Sequence, residues 1–519
     1  ALKEGLILPT TEVYKFYTAE TQDIKATTES HISANYKFLH DRIQQAAYSL
    51  IPEAQKKETH LKIGQLLLEN IPKSQQEERI FEIVNQLNYG TDLITEQKER
   101  DELVLLNFSA GKKAKFSTAY ESAINYLSIS RSLLPENSWK NQYSLTLELY
   151  IESAEAEYLN ISFEQSLSLI ELILKKVETP INIARAYELK LQIYIARMQL
   201  KQAVDLSLEI LEILGITLVS EPPKDLMIET LYNLPEMTVP EKEAGMRILT
   251  NLSTVAVAFN PALFTQVVYT MLHLSIKFGN CSFSTIGYVY YGILLCNSLE
   301  NIEEGYYYGK LSLKLLEKFN VNHLKVTVLE NFNGHIRFWK EHLKFTLEPL
   351  KEGIQSGLES GNLEEVGYAA CFYVLHDFFR GNRLELAINN LGKYIELMKQ
   401  LNRKHAEVGL NLFKQFSFNL TTQKVKPFKL LGDSFNEDKI LPILRRENNV
   451  MLLFMAYHIK SILAYLFEQP EIAIKNFKLA ESFLESVAGM MFISIHNFYN
   501  SLSLIALLYK TDNESQQEY

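Results

Sequence analysis

The segment Leu466-Phe467-Glu468-Gln469-Pro470-Glu471-Ile472-Ala473-Ile474-Lys475-Asn476-Phe477-Lys478-Leu479-Ala480 decides the fold. Forward from its turn, Ala473, Phe477, Ala480, Leu484 and Val487 step by four, three, four and three, so all five fall on one face of a helix. Backward from it, Ala456, Ile459, Leu463 and Phe467 form a second stripe of the same period. Glu468-Gln469-Pro470 leaves only a short turn between them. The two stripes therefore predict an antiparallel helix pair.

That pair recurs. An aromatic or aliphatic residue, two further residues and a small residue open the second helix at Tyr120 to Ala123, Phe163 to Ser166, Leu200 to Ala203, Ile302 to Gly305, Leu343 to Thr346, Leu384 to Ala387 and Pro470 to Ala473. The small residues lie 43, 37, 102, 41, 41 and 86 positions apart. The last interval is two periods, and the longest holds one more repeat near Pro261 to Phe264 plus an insertion. A hairpin repeated about every 40 residues buries its apolar face only against a neighbour, which predicts an all-α fold, an α-solenoid. It resembles tetratricopeptide repeats, although the units exceed that family's period of about 34 residues and lack its full Trp-Leu-Gly-Tyr pattern. Ser162 with Gln165 reads as a capping box at the start of a second helix.

Composition bounds the function. The 519 residues carry a net charge of −10, from 52 basic and 62 acidic side chains without blocks, which argues against nucleic acid or an anionic membrane as partner. Cys281, Cys296 and Cys371 are too few and too scattered for a disulfide framework or a zinc knuckle and fit a reducing cytoplasm. No stretch reaches the roughly 18 to 20 apolar residues of a membrane span.

The first fifty residues differ from the rest. Leu6 to Leu8 and Tyr36 to Leu39 read as short partner strands, and Thr18 to Ser33, rich in Thr, Ser, Glu and Lys, as an exposed loop between them. The run Tyr36 to Tyr48, with Phe38-Leu39-His40-Asp41-Arg42 and Ala46-Ala47-Tyr48, resembles the end of the winged-helix domain of STAND-type signalling ATPases. The implied family is the cyanobacterial-type multi-sensor kinase, in which a protein kinase, an ATPase, a helical repeat arm, a GAF domain and a histidine kinase share one polypeptide. On that resemblance the chain is an excised arm: 1–50 a winged-helix remnant, 52–215 and 243–510 two repeat stacks, 216–242 a linker or insertion with Pro222, Pro223, Pro235 and Pro240, and 511–519 a polar, disordered tail.

Leu39-His40-Asp41 matches, with Leu for Met, the methionine-histidine-aspartate motif of switch ATPases. The resemblance implies that His40 reaches the β-phosphate of ADP held by the upstream domain, while Asp41 caps the following helix or orients the loop. Imidazole suits this because it donates a hydrogen bond to an anionic oxygen and titrates near neutral pH. ATP or ADP and magnesium belong to that upstream domain; this chain is expected to hold no cofactor and no metal. It has no G-x-x-x-x-G-K-[ST] loop, and Ala110-Gly111-Lys112-Lys113 lacks the first glycine and the hydroxyl residue. There is no kinase Asp-Phe-Gly. His335 and His342, if helical, stand about 10 Å apart, too far to share a metal. His376-Asp377 reads as a packing or helix-surface pair.

One further group stands out. Tyr288, Tyr290, Tyr291, Tyr306, Tyr307 and Tyr308 crowd the two helices of one repeat. They either pack between repeats or, where they face outward, offer a docking surface for a partner. The expectation is a non-catalytic, cytoplasmic regulatory and sensing arm. Its partners would be the flanking ATPase and signalling domains and an unidentified protein or small-molecule effector. A free-standing adaptor binding partner peptides is the alternative, and it has no use for the N-terminal remnant.

Overall fold

The computed structural model describes residues 7–9, 36–38, 41–224, 228–298, 301–421 and 426–517. The chain divides into two compact units, Ala1–Val177 and Glu178–Tyr519.

In the first unit, β1 (Ile7–Pro9) and β2 (Tyr36–Phe38) pair antiparallel, with Ile7 opposite Phe38 and Pro9 opposite Tyr36. These are the positions where short strands are expected. Helix α1 (Asp41–Ser49) follows, then α2 (Glu53–Asn70), the short α3 (Lys73–Gln76), α4 (Ile80–Tyr89), α5 (Gln97–Phe116), α6 (Tyr120–Leu133), the short α7 (Ser138–Asn141), α8 (Tyr143–Leu159) and α9 (Phe163–Leu174). Helices α2 and α4, α5 and α6, and α8 and α9 pack as hairpins. Val84, Ala110, Leu127 and Leu149 join successive hairpins through one fully buried core.

The second unit opens with α10 (Pro180–Ala196) and α11 (Leu200–Ile213), then the short α12 (Ile228–Tyr232), α13 (Pro240–Phe259), α14 (Pro261–Phe278), α15 (Ser284–Asn297) and α16 (Ile302–Phe319). Helix α17 (Asn322–Asn331) widens into a π-helical turn, Phe332–Ile336. Next come α18 (Leu347–Ser360), α19 (Leu363–Phe379), α20 (Leu384–Gln400), α21 (Lys404–Thr421), α22 (Glu437–Arg446), α23 (Val450–Leu466), α24 (Pro470–Glu481) and α25 (Phe492–Gln517). Each unit is a TPR-like array of helix pairs, as the repeat predicts.

The repeat marks have a geometric cause. Six of the seven predicted openings are the first residues of α6, α9, α11, α16, α20 and α24, and Pro261 opens α14; only Leu343 falls in a 3-10 turn ahead of α18. Ala123, Ser166, Ala203 and Ala473 have no exposed surface. A Cβ on Gly305 would stand 2.5 Å from Cys296 Sγ and 2.7 Å from the Gly292 carbonyl, so α15 and α16 touch backbone to backbone there. The turns repeat as well. Thr118, Ile161, Met198 and Glu468 hold φ of 60, 64, 56 and 58°, each two residues before a helix start. The amide after each bonds back five residues, as in Ser162 to the Glu157 carbonyl at 2.9 Å and Gln469 to the Ala464 carbonyl at 2.8 Å, the Schellman arrangement.

Several expected boundaries differ. Ser162 is the residue before α9, but its side chain makes no cap bond; its hydroxyl instead accepts from Asn160 Nδ2 at 3.3 Å, so the capping box does not form. The division falls after Val177 and not within 216–242, because Leu211 shares a core with Leu249, Leu252 and Leu272. The proline-containing segment is itself packed: Asn280 Nδ2 donates to the Leu231 carbonyl at 2.7 Å, the Met237 amide donates to the Asn280 carbonyl at 2.8 Å, and Leu231 and Met237 are buried. Helix α24 stops at Glu481, so Leu484 and Val487 of the stripe lie in a 3-10 turn. Residues 511–517, expected as tail, continue α25: no Pro or Gly interrupts Phe492–Gln517, and Lys510 Nζ is held 2.6 Å from Glu471. Among the described residues, no helix is long and apolar enough to cross a membrane.

Candidate functional site

His40 lies outside the described residues, and Asp41 is the first residue of α1 with its side chain outside them as well. The tyrosine group is described in full, and most of it is not a surface. Tyr288, Tyr290, Tyr291 and Tyr308 are buried. The Tyr288 hydroxyl donates to Asn280 Oδ1 at 3.0 Å, and Tyr308 meets Tyr291 edge to face at 4.7 Å. Tyr290 meets Phe264 and Tyr291 meets Tyr269, both of α14, while Tyr288 and Tyr291 meet Tyr308 of α16, so these four pack between helices and offer no docking surface. Tyr306 is half-buried and bonds Glu341; Tyr307, 56% exposed, is the one that faces solvent.

The other polar residues singled out sit in packing contacts, although His376 Nε2 is buried without a hydrogen-bond partner. Buried Asp377 sits 2.7 Å from Arg380 and accepts from Asn382 and Asn390, while His376 Nδ1 lies 2.7 Å from Thr346 Oγ1. His342 Nδ1 caps a 3-10 turn by accepting from the Lys344 amide. Cys281 and Cys296 are buried, and burial raises both thiols. Among the described residues, no group of three or more His, Cys, Asp or Glu is arranged to hold a metal.

A different constellation forms where α15, α17 and α19 of the second unit meet. Glu330, at the end of α17 and just before the π-helical turn, is 4% exposed. Val326, Glu330 and Asn333 lie on one face, and Val326 and Asn333 are fully buried, so the helix carries this carboxyl inward with its core stripe. π-helical turns of this kind often adjoin functional residues. Burial pushes the Glu330 carboxyl well above the usual range, and the nearby Glu365 adds to it. Glu365, on α19, is pushed up to about 7, first by burial and then by Glu364. Burial also raises the phenols of Tyr290 and Tyr368, with both carboxyls contributing, and it pushes the Cys371 thiol up to about 12. His335 Nε2 lies 3.9 Å from Glu330, but burial lowers His335 to about 4, so it faces the acid as a neutral ring.

Tyr368 keeps 47% of its surface exposed and Glu365 is half-buried, so the α19 side of the cluster lies near the surface while Glu330 is covered. Glu364, next along, is occupied by Arg403 NH1 at 2.6 Å. On the far side the backbone of Gly489 lies against His335, and a side chain at Gly489, where φ is +77°, would run into Asn297. The loop before α25 thus closes the wall behind the histidine. Chemically this is a buried carboxyl, Glu330, beside a neutral imidazole, with Glu365 near enough to act on it electrostatically. Sequence reading passed over it, although a lone Glu at a core position of the Val326 to Phe332 run is a visible signal.

No protein-family model matches the chain. It is similar to the hybrid signal transduction histidine kinase G of Dictyostelium discoideum, 25% identical over 423 residues. That match takes in 70% of this chain but only 12% of the relative. Among solved structures, it is similar to a STAND protein with a tetratricopeptide repeat sensor from Pyrococcus horikoshii, at 13% identity and a TM-score of 0.40, covering 81% of this chain and 67% of that one. It is also similar to the apo form of RapI, at 12% identity and a TM-score of 0.38, covering 83% and 98%.

Proposed function

We propose that this chain is the non-catalytic regulatory and sensing arm of a larger signalling polypeptide, coupling a protein or small-molecule effector to the nucleotide state of an upstream ATPase domain in the cytoplasm. The observation that carries the reading is the sequence likeness, over most of the chain, to a short part of a signal transduction histidine kinase. The repeat architecture supports it, since stacked helix pairs present extended faces to partners. The antiparallel strands followed directly by α1 support a winged-helix remnant, in which His40 and Asp41 would report on bound ADP. An effector switches such a system only by binding its open arrangement more tightly, by a few kcal/mol.

The test is enzymatic. The purified chain is expected to turn over neither ATP nor a protein phosphoacceptor. Turnover that co-purifies with the chain through successive columns would overturn the reading. In the longer polypeptide, His40→Ala is expected to shorten ADP retention in a filter-binding assay, and unchanged retention removes the sensor role.

A further inference from the structure

A groove of about 410 Å³ runs between α2 and α5 of the first unit. That is the size of a small ligand pocket. Leu61 and Leu68 line it from one face of α2, Leu103 and Leu106 from one face of α5, and α4, packed against both helices, supplies Leu87. Gly64 fixes this arrangement: a Cβ there would stand 2.5 Å from Leu87 Cδ2, so α2 presses onto α4 at that point. Leu87 and Leu103 are buried, but Leu61, Leu68 and Leu106 are only half-buried, so the apolar lining is left partly uncovered. The rim carries one sign of charge. Glu69, Glu99 and Glu102 are exposed at the groove, no Lys or Arg lines it, and none of the three carboxylates is ion-paired among the described residues. By contrast Glu53, Glu82 and Glu155 of the same unit each pair with a cation.

We propose that this groove docks an amphipathic helix of a partner protein, with leucine-sized side chains on the face that enters and Lys or Arg on its flanks. This rests on the reading of the chain as a partner-binding arm and names the partner's chemistry. Length and charge select the occupant. Leu61 and Leu68 stand seven positions apart on α2, as Glu99 and Leu106 do on α5, which is about 10 Å of helix. The i and i+7 anchors of one docking helix span the same distance. The three unpaired carboxylates complement basic flanks, and in a chain of net charge −10 they turn away acidic ones. A phosphate backbone or an anionic membrane would meet repulsion at the same rim.

Fluorescence anisotropy of the whole chain tests this with a labelled alanine-based helical peptide carrying Leu at i, i+3, i+4 and i+7 and Lys on both flanks. The peptide is expected to bind saturably, more weakly as salt is raised, and at least about tenfold more weakly when its leucines are replaced by alanine. The combined variant Glu69→Gln, Glu99→Gln and Glu102→Gln changes only exposed positions, so it should fold as the parent chain does and bind at least about tenfold more weakly. The combined variant Glu121→Gln, Glu136→Gln and Glu385→Gln removes the same charge from exposed sites elsewhere and is expected to keep the affinity. No saturation up to about 1 mM peptide, equal binding of the alanine peptide, or equal loss in the two combined variants overturns the groove as the site. Saturable binding of decyltrimethylammonium below its micellar range, with none of the peptide, would hand the groove to a small amphiphile and overturn the helix. ATP turnover by the chain would sink the regulatory-arm reading by a different measurement, so the two failures are distinguishable.

Discussion

Charge at single buried residues governs how the protein responds to acid. His376 and His458 have no exposed surface; burial lowers both to about 3, with His335 and His496 respectively adding to it, and His335 stands at about 4. Unfolded, each titrates near 6.5. These lowered values contribute stability that is complete above about pH 6.5 and is lost as pH falls toward 4 and 3, because only the unfolded chain takes up the protons. Between pH 6.5 and 5 the loss is at most about 2 kcal/mol per histidine. Glu330 and Glu365 act in the opposite sense, being raised by burial: their contribution is complete below about pH 4.5 and is lost as pH rises, for Glu365 through about 7. His458 stacks on Phe454 at 5.3 Å, and neither ring nitrogen has a hydrogen-bond partner. His458→Phe should therefore narrow the gap between urea midpoints at pH 7 and pH 5 relative to the parent chain. An unchanged gap would mean the ring is already charged when folded. His458 could not be singled out from sequence, since its burial is set by neighbours from distant repeats, whereas Glu330 at a core position of an apolar run left a signal that reading for motifs passes over.

Each helix pair rests on two local devices, one legible in the sequence and one not. The small residue at the fourth position of the second helix was visible because it recurs, and the buried Ala123, Ser166, Ala203 and Ala473 explain it as close helix approach. The left-handed turn residue was invisible, because Thr118, Ile161, Met198 and Glu468 replace the glycine that normally signals such a turn. A β-branched side chain at φ +64° is strained, and Ile161 is 75% exposed, so it recovers little by packing. Ile161→Gly is expected to raise stability by about 1 kcal/mol. Chemical denaturation measures this, and a lower midpoint would show that the unfolded chain's added freedom outweighs the strain relieved. The absent cap bond at Ser162 makes the related point that a motif's letters place a helix start without ensuring its hydrogen bonds.

At the scale of the whole molecule the two units should behave as separate folding bodies. A fragment of residues 178–519 keeps the core that links α10 and α11 to α13 through Leu191, Leu211, Leu249 and Leu252, and is expected to unfold cooperatively. A fragment of residues 243–519, cut at the end of the proline-containing segment, strips that core and is expected to aggregate or melt well below it. Calorimetry and gel filtration of both fragments decide, and equal behaviour would restore the boundary at the prolines. The sequence by itself determined the all-α class, the hairpin repeat, most helix starts and the strand positions near the N-terminus, because apolar period and turn chemistry are local properties of the chain. Only the tertiary structure decided that four of the six tyrosines are core, that the proline-containing segment is packed, where the units divide, and that Glu330 is buried. Those depend on which faces of separate helices come together, and no spacing along the chain encodes that.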